Sequence, residues 1–479
     1  MNDVNDEDYF VAISLTDETS TIENIPCKIF LPKNRQEPVK LIATTDDPGI
    51  SKALRKQKLS KLNTKVVGLD SRCEADIFAD KVMIRNLRTR FWGPGKLVTQ
   101  AELYYKNLYV KGYAPECDHQ VENNFTFWLS PNFVLKPHNF ECPKRDGSIE
   151  VEFSNPIQYE LSKFGTVLFS QAFRFERKEE QLVRHACLTA NLVMDKGRVF
   201  TADLAGELLS ELEDFLLIAS LVSNERTLCF GWSYEDNRGV TDLYRGNMPI
   251  VARNPYSYEK SIIDRMLANE FISNTYSVFV KFNNRQHIRD AIYALVPIKK
   301  PTLELEFLAY FSAFEAILLE YKRANDAELV LDEGQFKSFR KYLENCIKNS
   351  DNPVPLNKGQ RKLLYDKLGE LNRVSLQESW ISFRNFHQLD ISDLWPVFSD
   401  DGQGLTLSEI RNRLIHGDTV GIDFIDALSI ATIHLRFVLC RCLLVSLGWD
   451  VVNSKTSKEY LRLNFGRILD VSAIRIKHK

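Results

Sequence analysis

The hydrophobic period of this chain changes once, and that change limits the folds open to it more than any other feature. Up to about residue 200, short alternating runs such as Cys27 to Leu31, Phe125 to Leu129, Ile149 to Phe153 and Val167 to Phe175 are broken by Gly, Pro, Asn and Asp. Aromatic and β-branched residues alternating with polar ones mark strands with one wet face. Ala202 to Val222 then takes helical spacing and Thr227 to Tyr234 returns to a strand; both are placed with the N-terminal domain. From about Tyr256 the spacing is helical almost throughout. The helices expected there are Tyr256 to Ile272, Arg285 to Leu295, Thr302 to Lys322, Gln335 to Lys348, Lys358 to Leu371, Leu407 to His416 and Asp423 to Leu447. The chain therefore reads as α+β, a β-rich N-terminal domain followed by an all-α helical bundle.

At 479 residues the chain is too long for one ordinary core. We divide it into a β-rich domain over 1–250, with a possible sensing or regulatory role, a helical connector over 251–300, a helical domain over 301–450 and a basic tail over 451–479. A helical insertion is expected at Ser51 to Leu62, where Lys52, Arg55, Lys56, Lys58 and Lys61 crowd together as a solvated basic face or as a phosphate-contacting patch. In the tail Lys455, Lys458, Arg462, Arg467, Arg475, Lys477 and Lys479 outnumber Glu459 and Asp470, which suits a solvated tail or an electrostatic lead-in for RNA.

Composition excludes several classes. Apolar residues make up 44% and charged residues 26%, as in soluble globular proteins, and the formal net charge of -2 argues against wholesale coating of nucleic acid while leaving room for a local basic site. Nine cysteines are scattered with no CxxC pair, so structural zinc and a disulfide framework are not expected and a reducing cytoplasm is. The acidic start MNDVNDEDYF lacks the cationic and apolar regions of a secretory signal. The longest apolar stretch, Phe424 to Leu447, contains His434, Arg436 and Arg441, which makes it a core helix, and no membrane partner is expected. Cys117-Asp118-His119 and Glu141-Cys142 fit no common metal site, so we expect neither metal nor cofactor.

The residues that carry chemistry are Arg411-Asn412-Arg413-Leu414-Ile415-His416-Gly417. Thr406 and Glu409 form a T-x-x-E capping box, and Gly417 sits where a left-handed cap belongs, so this stretch is a short helix with defined ends. Projected around it, Leu407, Ile410 and Leu414 form the docking stripe, Asn412 and His416 share another face, and Arg411 lies at the margin of the apolar arc, about 140° from His416. An arginine and a histidine supply a fixed cation and a proton carrier near neutral pH. Because one helix cannot easily aim both at one phosphate, we expect a homodimer with a composite site. Arg384-Asn385-Phe386-His387 mimics the motif at the wrong spacing and reads as a loop or helix-end coincidence.

The R-x4-H sequence with Asn after the Arg, at a helix end and followed by a long apolar helix, resembles the HEPN superfamily (higher eukaryotes and prokaryotes nucleotide-binding). The upstream run Phe307 to Leu318, aromatic-rich and containing Glu315, is similar to the first long helix of those domains. This resemblance extends from about Pro301 to Trp449. A β-rich region ahead of such a domain, with the helix-to-strand passage Phe215 to Trp232, resembles ApeA-like bacterial anti-phage proteins of the abortive-infection type. The resemblance implies metal-independent endoribonuclease activity, in which the ribose 2′-hydroxyl attacks the adjacent phosphate to give a cyclic phosphate. Carried over residue by residue, His416 transfers the proton, Arg411 holds the phosphorane charge and Asn412 orients the phosphate or the imidazole. Glu315 is read as a supporting partner of Arg411, the alternative being an exposed edge residue. The implied partners are RNA, transfer RNA among the candidates, a second copy of the chain through the helical domain, and a phage-derived trigger. The alternative is a HEPN-like module that only dimerises or binds a nucleotide within a regulator. A purely structural reading of the motif pairs Arg411 with a core carboxylate and sets His416 against the negative end of the helix dipole. No P-loop, GxGxxG, HExxH or paired-carboxylate signature supports a DNA-directed effector.

Overall fold

The computed structural model describes residues 8–31, 38–57, 59–67, 74–91, 96–113, 124–137, 140–143, 149–152, 155–178, 181–193, 202–236, 239–246, 261–348, 356–399, 405–417 and 422–466. The chain is α+β, strand-rich to residue 245 and helical beyond it. It separates into two compact units, Met1–Ser261 and Ile262–Lys479.

In the first unit, β1 (Asp8–Thr16), β2 (Thr21–Phe30), β3 (Lys40–Thr45), β4 (Ser60–Val67), β5 (Glu74–Phe91) and β6 (Leu97–Tyr104) close into an antiparallel barrel in the order β5-β4-β1-β2-β3-β6, with β6 pairing back onto β5. Closure is possible because β5 is long. Its first half pairs with β4 and with β7 (Asn107–Tyr113), and its second half with β6. The inward positions Ile13, Leu15, Ile25, Ile29, Leu41, Ala43 and Leu62 are fully buried, as the period-two pattern requires. Asp47 caps α1 (Pro48–Lys56), accepting from the Gly49 and Ile50 amides, and Leu54 seals this helix onto the barrel core. The basic insertion is thus shorter than expected: Lys52, Arg55 and Lys56 are on α1, Lys61 is on β4, and Lys58 lies outside the described residues.

Beyond β7 the sheet continues through β15 (Gly239–Arg245), β14 (Cys229–Asp236), β8 (Asn124–Leu129), β13 (Gln181–Val193), β12 (Gly165–Lys178) and β11 (Ile157–Leu161), all antiparallel. A separate hairpin is formed by β9 (Phe140–Pro143) and β10 (Ile149–Glu152). Helix α2 (Ala202–Ser223) covers the open sheet, with Phe215 stacked on Phe169 at 5.4 Å and tilted on Tyr159 at 4.9 Å. Burying each such ring contributes about 1.5–3 kcal/mol. Gly231 in β14 allows close approach: a Cβ there would meet the Leu243 carbonyl oxygen and the Trp128 ring.

The second unit is a helical bundle: α3 (Ala268–Phe279), α4 (Gln286–Leu295), α5 (Leu303–Ala324), α6 (Glu333–Lys348), α7 (Lys358–Leu368), α8 (Leu376–His387), α9 (Leu407–His416), α10 (Ile422–Ser446) and α11 (Lys458–Phe465). At its centre α5 packs against α4, α8, α9 and α10. Its apolar residues Phe307, Tyr310, Phe311, Phe314, Ile317 and Leu318 are buried. Three expectations need correction. Helix α3 starts at Ala268, after a 3-10 turn capped by Asp264, and residues 256–260 of the expected helix lie outside the described residues. The segment read as a connector belongs to the bundle, since α4 docks on α5 through buried Ile288, Ala291 and Ile292. The segment read as a tail folds onto the bundle as far as residue 466. The Lys455 amide donates to the Ile262 carbonyl at 2.7 Å and Lys458 Nζ lies 3.3 Å from the Asp390 carboxylate. Residues 467–479, with Arg467, Asp470, Arg475, Lys477 and Lys479, lie outside the described part.

The segment Ile425–Ser446 of α10 is long and apolar enough to cross a membrane, but its most apolar 18-residue window is 72% buried inside the protein. Its Arg441 is 1% exposed with four hydrogen bonds: bidentate bonds reach Asp393 at 2.7 and 2.6 Å, and carbonyls of Asp390 and Thr456 accept at 2.9 and 2.8 Å. A buried guanidinium needs this many acceptors, and satisfying it ties the α8–α9 connection and the C-terminal segment to α10.

Candidate functional site

Helix α9 is fixed at both ends before any long-range contact is considered. The Thr406 hydroxyl accepts from the Glu409 amide while the Glu409 carboxylate accepts from the Thr406 amide, and Gly417 closes the helix at φ 74°. The next amides, Leu407 and Ser408, donate to the carbonyls of Pro396 and Val397 at 3.0 Å each. That strap is itself held by α10, because the Trp395 amide donates to Nδ1 of buried His434 at 2.9 Å and the Trp395 indole donates to the Leu405 carbonyl at 2.6 Å. Leu407 and Ile410 are fully buried and Leu414 is half-buried, so the apolar stripe read from the sequence faces the bundle.

This docking brings Arg411 over α5. Its guanidinium lies 3.3 Å from the Glu315 carboxylate and 5.7 Å from the Phe311 ring centroid. Phe311 and Glu315, four residues apart, share one face of α5 and hold the arginine from two sides. Arg411 Nη1 also donates to Asn412 Oδ1 at 3.1 Å. Glu315, Arg411 and Asn412 thus form one connected chain. The Arg411 and Glu315 side chains are 32% and 33% exposed, which leaves guanidinium donors accessible to a ligand. Burial raises the Glu315 carboxyl above its ordinary range and outweighs the opposing pull of Arg411.

His416 is exposed in the last turn of α9, and among the described residues no hydrogen bond joins it to that chain. Arg413 is half-buried. The Asn412 side chain engages Arg411 rather than standing apart from it on the His416 face. Phe311 was the participant not singled out in the sequence; its i, i+4 relation to Glu315 is the signal that points to it.

No family model, curated protein or solved structure matches this chain. The site must therefore be judged on its own chemistry. It offers a held cation, a carboxamide bound to it and an exposed imidazole on one short helix.

The second sequence, Arg384 to His387, ends α8 and is followed by Gln388 in the left-handed region at φ 50°. His387 packs in an aromatic cluster with Phe383 at 4.5 Å, Phe386 at 4.9 Å and Tyr321 at 6.2 Å, and burial lowers its pKa. Arg384 lies 5.7 Å from the Trp380 ring centroid. An open groove of 560 Å³ beside the cluster is lined by Tyr321, Glu378, Ile381, Ser382, Asn385 and Phe386. Among the described residues no group of His, Cys, Asp or Glu side chains could hold a metal ion. Cys117, Asp118 and His119 lie outside those residues, as do the side chains of Glu141 and Cys142.

Proposed function

We infer that this chain is a HEPN-type, metal-independent endoribonuclease, similar in plan to ApeA-like effectors of abortive infection, acting in the cytoplasm as a homodimer on RNA, with the β-rich unit answering a phage-derived trigger. The observation that carries the reading is the Arg411 guanidinium, oriented by Glu315, Asn412 and Phe311 yet a third exposed, on the helix that ends in exposed His416. In the reaction the ribose 2′-oxygen bonds to the adjacent phosphorus and its proton passes to His416. Arg411 holds the charge gathering on the phosphorane oxygens, and the 5′-oxygen leaves with a proton returned by an imidazolium. Glu315 keeps the guanidinium aimed and yields part of its pairing to the incoming phosphate. Pooling of two α9 helices across a two-fold axis supplies both groups to one phosphate. Ile415 and Ile425, 52% and 46% exposed at the end of α9 and the start of α10, are apolar surface that such a dimer would cover.

The test is incubation of the purified protein, Arg411→Ala and His416→Ala with total RNA in EDTA, with the cut ends mapped. Cleavage that survives chelation, leaves cyclic phosphates and is lost in both variants supports the enzyme. The second reading, a non-catalytic dimerising or nucleotide-binding module, is favoured by the Arg411–Glu315 pair itself, which a purely structural role would also use. Intact RNA under every condition, with binding retained, selects it.

A further inference from the structure

The barrel of the first unit carries a distinct chemical surface on its outside. Residues directly opposite in antiparallel strands project from the same face, so the registers arrange that surface in rows. One row crosses β1, β2, β3, β6 and β5 as Phe10, Lys28, Ile42, Glu102 and Arg85. The row beside it contains Phe30, Lys40, Tyr104 and Met83. The residues between them along each strand, including Ile29, Leu41 and Leu103, point into the buried core.

A bulge in β5 enlarges this surface. The register of β5 against β6 shifts between Arg85 and Arg88, and Asn86 has φ 55°. In an unbroken strand, residues three apart lie on opposite faces; the extra residue puts Arg85 and Arg88 on the same outer face, opposite Glu102 and Gln100. Alternation then adds Arg90, opposite Val98. Arg88 and Arg90 are separated by about 7 Å along the strand, close to the step between successive phosphates of an extended nucleic-acid strand.

Lys28, Lys40, Arg85, Arg88 and Arg90 share the face with the carboxylate of Glu102, which already accepts from Asn86 at 2.9 Å. In a chain of net charge -2 this is a local concentration of cations. Rings are interleaved with it. Lys28 Nζ is 5.0 Å from the Phe10 centroid and 4.5 Å from that of Phe30, and the Arg85 guanidinium lies 4.7 Å from that of Tyr104. Phe10 is 78% exposed, which leaves ring surface free for a flat partner.

We propose that this outer barrel face binds single-stranded nucleic acid, with phosphates along the β5 arginines and bases stacked on Phe10 and Tyr104. Aromatic rings at a basic surface suit unpaired bases, whereas among the described residues this face carries no helix or protruding ribbon to enter a duplex groove. The binding does not require that the helical unit cut RNA.

The test uses the full chain carrying His416→Ala, so that no cleavage can distort the titration, with labelled oligouridylate, oligodeoxythymidylate, duplex RNA and phosphatidylserine vesicles as probes. The single strands should bind more tightly than the duplex, with affinity falling as salt rises. Equal binding of the two strands assigns recognition to backbone and base stacking; preference for oligouridylate adds a 2′-hydroxyl contact. Adding Arg85→Ala, Arg88→Ala and Arg90→Ala together should weaken binding about a hundredfold near 0.1 M salt and flatten the logarithmic salt dependence by about two units. Phe10→Ala should weaken it by a similar factor at low and high salt, because stacking is not screened. The proposal is overturned if single strands do not bind, if the triple variant, its circular dichroism unchanged, binds them as its parent does, or if only vesicles bind through these arginines.

Discussion

Arg411 on α9 and Glu315 on α5 are joined by an ion pair of 3.3 Å in which each side chain remains about a third exposed. The carboxylate is raised above its ordinary range, because desolvation on α5 outweighs its attraction to the guanidinium. The pair therefore contributes orientation more than stability, since partly exposed pairs contribute about 0–1 kcal/mol.

Glu315→Gln should accordingly change unfolding free energy by less than about 1 kcal/mol at neutral pH while lowering RNA cleavage. The pH dependence has a definite sign. A carboxyl whose folded pKa is raised contributes stability that is present below its unfolded value, here 4.5, and lost as pH rises through the folded value. The stability of wild type relative to Glu315→Gln should therefore fall as pH is raised from below 4.5 toward neutrality. Thermal unfolding of both proteins across that range measures it, and a difference growing in the opposite direction would contradict this account of the site.

His416→Ala should separate activity from folding. The side chain is exposed, so stability should shift by no more than about 0.5 kcal/mol. Loss of a positioned proton carrier should cost about 10²- to 10⁴-fold in cleavage rate. Urea unfolding together with single-turnover cleavage reads both quantities, and a fully active variant would remove the imidazole from the chemistry.

Gly417→Ala tests the frame of α9. No atom lies within 4 Å of the position a Cβ would take, so the penalty comes from φ 74° alone and should be about 1–2 kcal/mol. The strain falls beside His416, so cleavage should drop more than the small stability loss explains. Thr406→Ala, which removes the cap at the other end, should cost about 1 kcal/mol with less effect on His416.

Asp393→Ala should be among the most damaging single changes in the helical unit. It leaves Arg441, 1% exposed, without its bidentate partner, and uncompensated buried charges cost about 3–5 kcal/mol. Replacing Arg441 with Met in the same protein should recover part of that loss. Denaturant midpoints of the single and double variants give the comparison, and a Asp393→Ala protein as stable as wild type would refute the role given to this clamp.

Much of the architecture is written locally. Helix α9 runs from Leu407 to His416 as its capping box and glycine require, and α5 and α10 lie within a few residues of where their apolar spacing puts them, because caps and periodicity act over a few turns. Other elements are less legible. Helix α8 was not anticipated, although Ser375 and Glu378 form a capping box as clear as that of α9, because Asn385, Phe386 and His387 obscured its end. The segment around Lys458 reads from the sequence as a solvated tail or an RNA lead-in, because its charges hide its contacts with Arg441 and Asp390.

The change from strand to helix along the chain and the ends of α9 were determined by the sequence alone, since each depends on neighbours within a few residues. Barrel closure, the face shared by Arg85 and Arg88, the place of Phe311 beside Arg411, and the choice between the two sequence readings of Glu315 in favour of the arginine's partner were decided by the tertiary structure. These depend on which surfaces meet across long separations in the chain, where burial, register and desolvation act together and no local pattern records the outcome.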